Sequence, residues 1–390
     1  VERRSSEESR GLYIHIPFCQ SRCAYCDFAS YALNALPDGL SFTAYADALI
    51  KEAALAAKEH GHLRFTTAYL GGGTPPLMPL DELRSVIAAL RGAFDVSQIE
   101  EFTLEANPDT LGRDKLKQWR ELGITRLSVG IQSLSDRSLR ELGRSYSSGG
   151  ALTALYELKD ELSAFDLSFD LLLNVPWQKP SQVLDDIRAL YEFKPVHFSL
   201  YALKVEPGTP LAMRVAKEPS LAPDDDRYAD EMGAAEELLA ENGFARYEIS
   251  NFARDGKWSL HNIAYWQGWG YLGLGVNATS CIRGVRTRNH REFADYRTAL
   301  ARDELPVAER TELSETERMF EYVMLVLRTS RGISRDGLPV EIWDKLRERA
   351  EELAVRHPQL IYVTPDGIAL TSWGMNVEHA VVVELVNGSM

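Results

Sequence analysis

Cys19, Cys23 and Cys26 fall within one short stretch of LYIHIPFCQSRCAYCDF (12–28), and the only other cysteine of the chain is Cys281. Thiols clustered at C-x3-C-x2-C spacing are more often metal ligands or catalytic groups than a disulfide framework. Three thiolates suit zinc or an iron–sulfur cluster, and both normally take four ligands. For zinc, His15 is a candidate fourth donor, although from an extended strand it reaches the loop only if the chain folds back. In a [4Fe–4S] cluster held by three cysteines one iron stays open, and the nitrogen and carboxylate of an amino acid could bind there. Cys281, standing alone, reads as a small buried hydrophobe.

Other groups fall at the ends of β-rich runs. Gly71, Gly72, Gly73 and Thr74 follow one of them. The run reads as a tight turn or as bare backbone offered to a ligand carrying an ammonium and a carboxylate. It has neither the Gly-Lys-Ser/Thr ending of a phosphate loop nor the spacing of a dinucleotide fingerprint. Glu105, Gln132, Asp170 and Tyr201 stand at or near the ends of later runs. In βα-barrels the C-terminal strand ends and their loops build the active site, so these groups would share one mouth with the thiols.

The elements that must position them alternate in type. Strands are predicted at 12–16, 65–70, 101–106, 126–131, 167–173 and 196–203. Helices are predicted at 43–59, 81–94, 113–123, 151–162 and 181–193 from apolar residues recurring at three- and four-residue steps. That βα rhythm predicts an α/β chain with a parallel sheet. A Pro-, Gly- and Asp-rich connection at 206–226 marks the end of the repeating core. Beyond it come helices at 224–242, 314–328 and 340–355, then two β runs around a Pro-Asp-Gly turn and a last helix, which read as a small winged-helix-like α+β unit. The expected division is a polar tail (1–10), a barrel (11–225), a barrel-extending segment (226–305) and the small C-terminal domain (306–390).

Composition excludes several classes. The chain has 390 residues, 45% of them hydrophobic, enough for a sizeable core. A formal charge of −14 argues against nucleic acid as a partner and against broad binding to anionic membranes. No run of 18 apolar residues appears, and VERRSSEESRG has no apolar stretch behind it, so a cytoplasmic location is expected.

The C-x3-C-x2-C loop after a first strand, with a glycine run after the second, resembles the radical S-adenosylmethionine (SAM) superfamily. The wider wording YIHIPFC, GGGTP, LEANP, LSVGIQS, SLYALKVEPGTP, YEISNFA, HNIAYW and YLGLG is similar to the oxygen-independent coproporphyrinogen III oxidase group over nearly the whole chain. The oxidase branch typically carries another cysteine two residues after the third, where this chain has Asp27 and Phe28, so the loop resembles the heme-chaperone branch. The resemblance implies a partial (β/α)6 radical SAM barrel with Cys19, Cys23 and Cys26 as ligands of a [4Fe–4S] cluster. It implies Tyr13, Tyr25, Gly72, Gly73, Thr74, Glu105, Gln132, Arg144 and Asp170 around SAM. It also implies His261, Asn262, Tyr265 and Trp266 of HNIAYW at heme, since a neutral imidazole ligates iron and aromatic rings suit a porphyrin face. Heme-accepting proteins and a low-potential electron donor follow as partners, with transient membrane association and a homodimer as further expectations. The alternative is oxidative decarboxylation of coproporphyrinogen III propionates; Arg283, Arg286 and Arg288 could pair with propionates in either scheme. Three departures from the family wording stand out: Asn174 and Trp177 in DLLLNVPWQKP replace small glycines, Tyr146 stands where histidine is common, and GVNATS (275–280) lacks a usual histidine.

Overall fold

The computed structural model describes residues 10–61 and 63–386, so the expected polar tail lies, except for Arg10, outside the described residues. Six parallel strands follow one another across the sheet in chain order: β1 (Arg10–Ile16), β2 (Thr67–Gly72), β3 (Glu101–Ala106), β4 (Arg126–Gln132), β5 (Asp166–Leu173) and β6 (His197–Ala202). Their crossovers run through α1 (Phe42–His60), α2 (Leu80–Ala93), α3 (Arg113–Glu121), α4 (Ser148–Glu157) and α5 (Gln182–Leu190). The first crossover helix starts where the Ser41 side chain accepts from the Ala44 N–H, a serine N-cap.

Strand periodicity divides the sheet into two faces. Leu12, Ile14, Leu70, Leu104, Leu127, Val129, Phe169, Leu171, Phe198 and Leu200 belong to one buried core with the crossover helices. The alternate positions are polar or aromatic and face the other way: Tyr13 and His15, Thr67 and Tyr69, Glu101 and Glu105, Arg126 and Ser128, Ser168 and Asp170, His197 and Ser199. The barrel interior is therefore polar, and it can hold chemistry.

Six strands are not the whole sheet. A seventh, β7 (Gly270–Leu274), pairs parallel to β1, and antiparallel β8 (Thr279–Ile282), β9 (Val285–Asn289) and β10 (Val307–Glu312) extend it. On the far side Asn251–Ala253 adds antiparallel to β6. These additions cover edges that β1 and β6 would otherwise expose. Gly-rich GYLGL has weak strand propensity, which hid β7 from a pattern reading.

After α6 (Pro210–Lys217) and α7 (Asp225–Glu241), the chain passes through α8 (Leu260–Trp266) and α9 (Phe293–Ala301). α10 (Glu315–Leu327) opens on a capping box between Ser314 and Glu317. With α11 (Val340–Arg356) and a hairpin of Ile361–Val363 and Gly367–Leu370, it builds a second core around Val323, Leu327, Trp343, Leu346, Ile368 and Leu385. Arg246, buried in the first unit, reaches that second one through the Ser372 carbonyl and Asn376 Oδ1.

Candidate functional site

The cysteine loop lies at the C-terminal end of β1, and backbone hydrogen bonds hold its centre. The Ala24 N–H donates to the Leu142 carbonyl at 2.9 Å, and the Leu211 N–H donates to the Ala24 carbonyl at 2.8 Å. Cys19, Cys23 and Cys26 are all half-exposed and free. Burial pushes the Cys26 thiol up to about 11 and raises Cys19 as well, so ligation would release protons from both. His15 does not join them. Its Nε2 donates to the Ala29 carbonyl at 2.7 Å, which leaves Nδ1 to accept from the Tyr13 hydroxyl at 2.9 Å. Burial also lowers its pKa to about 4, so it is a neutral, committed ring. Three accessible thiols without a fourth side-chain donor fit a cluster with one open iron. Among the described residues no group of three His, Cys, Asp or Glu converges as ligands of a single ion do, and sulfurs sharing one zinc would stand about 3.8 Å apart.

The glycine run packs against the protein itself. Gly72 has φ +108°, and a Cβ there would meet the His15 ring at 2.4 Å. A Cβ on Gly73 would meet the Phe18 carbonyl oxygen at 2.6 Å. The turn thus brings β2 against the start of the cysteine loop, with Thr74 Oγ1 at 4.0 Å from Cys19 Sγ.

Two carboxylates face the interior below this loop. Glu105 accepts from the Tyr69 hydroxyl at 2.7 Å and the Gly72 N–H at 3.0 Å, while burial raises it to about 7. Asp170 accepts from Ser128 Oγ at 2.9 Å, and burial raises it to about 6. Among the described residues no arginine or lysine forms an ion pair with either one, and their oxygens are suited to take hydroxyl or ammonium donors.

Arg144 is not a surface charge. Its guanidinium donates to Cys23 Sγ at 3.3 Å, Asn107 Oδ1 at 2.6 Å and the Gly130 carbonyl at 3.1 Å, joining the cysteine loop to β4. Tyr146, the departure from histidine, accepts from Arg144 Nε at 3.0 Å and donates to the Gly130 carbonyl at 2.6 Å. Gln132 closes β4 in a left-handed conformation, φ 64°. Tyr25 packs beside Trp177 against Leu142, Leu172, Val175, Leu203 and Leu211.

The other two departures also have local reasons. Asn174 takes φ 62°, a conformation a glycine adopts freely, and is held there by the Asp224 backbone: its Nδ2 donates to the carbonyl at 2.9 Å and its Oδ1 accepts from the N–H at 3.1 Å. Trp177 lies under the Arg214 guanidinium at 4.8 Å and caps the apolar cluster that holds Tyr25.

The HNIAYW residues lie at the opposite end of the barrel. His261 is 1% exposed, with Nδ1 at 2.9 Å from Thr67 Oγ1 and Nε2 at 3.1 Å from the Tyr265 hydroxyl. Asn262 is half-buried in the first turn of α8, its N–H donating to Ser259 Oγ, and Trp266 stacks beneath Arg328 at 4.9 Å. Arg286 is paired with Glu321, and Arg288 with Glu309. Cys281 is half-exposed rather than buried, because the strand that carries it lies in the antiparallel extension and not in the barrel core.

Sequence reading missed Tyr69, Ser128, Asn107 and the floor residues Glu101, Arg126 and His197. The available signal was period two: Tyr69 stands two before Gly71, and Ser128 two before Gly130, on the interior face.

Residues 13–190 match the radical SAM superfamily. A heme chaperone HemW of Mycobacterium tuberculosis is 35% identical over 95% of this chain and 93% of its own. One of Bacillus subtilis is 30% identical over 92% and 96%. Coproporphyrinogen III oxidase HemN from Escherichia coli, a radical SAM enzyme, superposes with a TM-score of 0.81 over 98% of this chain and 91% of that one, and its 21% identity makes this a likeness of fold. With a thiol loop, glycine turn and interior carboxylates in one mouth and full-length relatives at this identity, the chain belongs to the HemW family of radical SAM proteins.

Proposed function

We propose that this chain is a heme chaperone: it binds heme and passes it to acceptor proteins, and it carries a [4Fe–4S] cluster with exchangeable SAM. The observation that carries the reading is the end-to-end similarity to HemW relatives. The cysteine loop supports it, since Cys26 is followed by Asp27 and Phe28 and not by a further cysteine. Radical SAM membership implies the cluster and SAM. In this reading Cys19, Cys23 and Cys26 hold the cluster, which when bound supplies an open iron and one-electron reduction.

The chain's own residues then orient SAM. Glu105 and Asp170, half-buried acceptors, take donors from it, and Arg144 supplies positive charge beside Cys23. Tyr13, Tyr25, Gly72, Gly73, Thr74 and Gln132 surround the same space. A low-potential donor reduces the cluster, and heme-accepting proteins are the partners; a homodimer and transient contact with a membrane through those partners complete the proposal. No helix among the described residues is long and apolar enough to cross a membrane.

The test is anaerobic reconstitution of the full chain with iron and sulfide, then heme titration, transfer of heme to an apo-acceptor, and a coproporphyrinogen III assay with SAM and reductant. Saturable heme binding with transfer and no decarboxylation is expected. Decarboxylation without stable heme binding would replace this reading with the oxidase one.

A further inference from the structure

We infer that His261 is a positioning residue for the SAM pocket, acting through Tyr69 on Glu105, and not an axial ligand to heme. The inference rests on the reading above that Glu105 meets SAM.

The floor of the barrel is built to receive this one ring. A Cβ on Gly11 would stand 3.0 Å from His261 Cε1, so β1 carries glycine where the imidazole enters. Thr67 of β2 meets Nδ1 and Tyr265 meets Nε2, so both nitrogens are engaged and the single in-plane lone pair of the neutral ring already has a hydroxyl partner. The i, i+4 spacing of His261 and Tyr265 places those side chains on one face of α8, which gives the motif's spacing an internal reason. Burial lowers the His261 pKa to about 3, so the ring is neutral and its influence is steric and through hydrogen bonds.

From the floor, contact runs upward. The imidazole stacks on Tyr69 at 5.1 Å between centroids with 30° between planes, and Tyr13 flanks Tyr69 from β1 at 6.1 Å. Tyr69 is thereby confined, and its hydroxyl holds Glu105 Oε1 while the Gly72 N–H holds Oε2. Swinging His261 out to meet an iron would break two hydrogen bonds and open a void beneath Tyr69.

The helix that carries the ring is fastened at both ends. The N–H groups of Leu260 and His261 donate to the Glu101 carboxylate, which pairs with buried Arg126. At the other end Trp266 stacks under Arg328, which also pairs with Glu378 of the C-terminal unit. The motif therefore brackets the C-terminal unit to the pocket floor.

The test uses the reconstituted full-length protein and two readouts: equilibrium dialysis with SAM, and the visible spectrum on heme titration. His261→Ala is expected to weaken SAM binding about tenfold, the scale of one lost hydrogen bond to a charged group, while the heme spectrum keeps its wild-type band positions. Thr67→Val leaves the imidazole in place and is expected to weaken SAM binding severalfold with heme unchanged; His261→Gln, which can keep one hydrogen bond, is expected to recover part of the loss. Tyr69→Phe is expected to show the same weakening, with His261→Ala adding little on top of it, the non-additivity of residues acting in series. Unchanged SAM affinity in His261→Ala, or loss of an imidazole-ligated heme spectrum in it, overturns the inference. A wild-type chain that binds no SAM overturns the reading of the pocket itself, and the relay with it. Thr67→Val and Tyr69→Phe keep the question open to measurement if His261→Ala fails to fold.

Discussion

The two ends of the barrel use similar residue types to opposite effect. At the mouth, three cysteines are half-exposed on a loop whose centre is pinned by backbone hydrogen bonds, and apart from the Arg144 contact to Cys23 the thiols face room for a ligand. At the floor, Glu101, Arg126, His197 and His261 are each under 10% exposed and each bonded: Arg126 to Glu101, His197 to Ser168 and Tyr247, His261 to Thr67 and Tyr265. A potential ligand is therefore recognised by its uncommitted lone pairs more than by its type. Buried polar groups with full partners specify a structure, and accessible ones with few partners bind.

The largest effect should come from the mouth. Cys23→Ser is expected to drop iron in the reconstituted protein from about four per chain to near zero, with the melting temperature of the metal-free protein little changed because backbone bonds hold the loop and the serine hydroxyl can still accept from Arg144. Iron analysis alongside calorimetry checks both halves, and a collapse in melting temperature would erase the contrast between the two ends. Next comes the floor: Glu101→Ala leaves Arg126 buried without its partner and uncaps α8, which should cost about 3–5 kcal/mol in urea unfolding. Iron incorporation in this variant should survive wherever it folds.

Glu52 sharpens the comparison by titration, since it lies behind β1 with full partners but, among the described residues, no cation. It accepts from the Tyr296 hydroxyl at 2.6 Å, the Gly275 N–H at 2.7 Å and Asn289 Nδ2 at 2.5 Å, and burial raises it to about 7. The folded state thus holds this proton more tightly than the unfolded one. Glu52's contribution is full below about pH 4.5 and is lost as pH rises through about 7, on the order of 3 kcal/mol in all. Urea midpoints measured from pH 5 to 7.5 should fall less steeply in Glu52→Gln than in the wild type; equal slopes would show that this carboxylate does not titrate there. Glu105, Glu248 and Asp170, also raised by burial, contribute slopes of the same sign and remain in the variant. The smallest effect is expected at Asn174, beside the mouth. Asn174→Ala loses two hydrogen bonds and keeps φ 62°, for about 1–2 kcal/mol, whereas Asn174→Gly should lose less because glycine takes that conformation freely. Thermal melts that ranked the two alike would assign the whole effect to the hydrogen bonds.

Much of the mouth was legible in the chain. Cys19, Cys23 and Cys26 are neighbours in sequence, and the strands that present Glu105, Asp170 and the glycine turn show a plain β rhythm, so placing them at strand ends needed only local pattern. His15 could not be judged that way: whether it ligates depends on Ala29 and Tyr13, and only the folded loop brings Ala29 to its Nε2. Arg144 was placed at the pocket by the family resemblance alone, because nothing local shows that Cys23 lies 121 residues away in sequence and 3.3 Å away in space. β7 was hidden because its glycines weaken the strand signal and its pairing to β1 is long-range.

The sequence by itself determined the alternation of strands and helices, the groups at the strand ends and the thiol loop, since each is written in residues two to seven positions apart. Which polar groups stay free was decided only by tertiary structure. Thr67 meets His261 across 194 residues and Glu101 caps α8 across 160, and such contacts depend on how the barrel closes rather than on any local preference. Burial then sets the chemistry, because removing water makes a hydrogen-bond partner obligatory for each floor group while the half-exposed thiols keep room for a ligand.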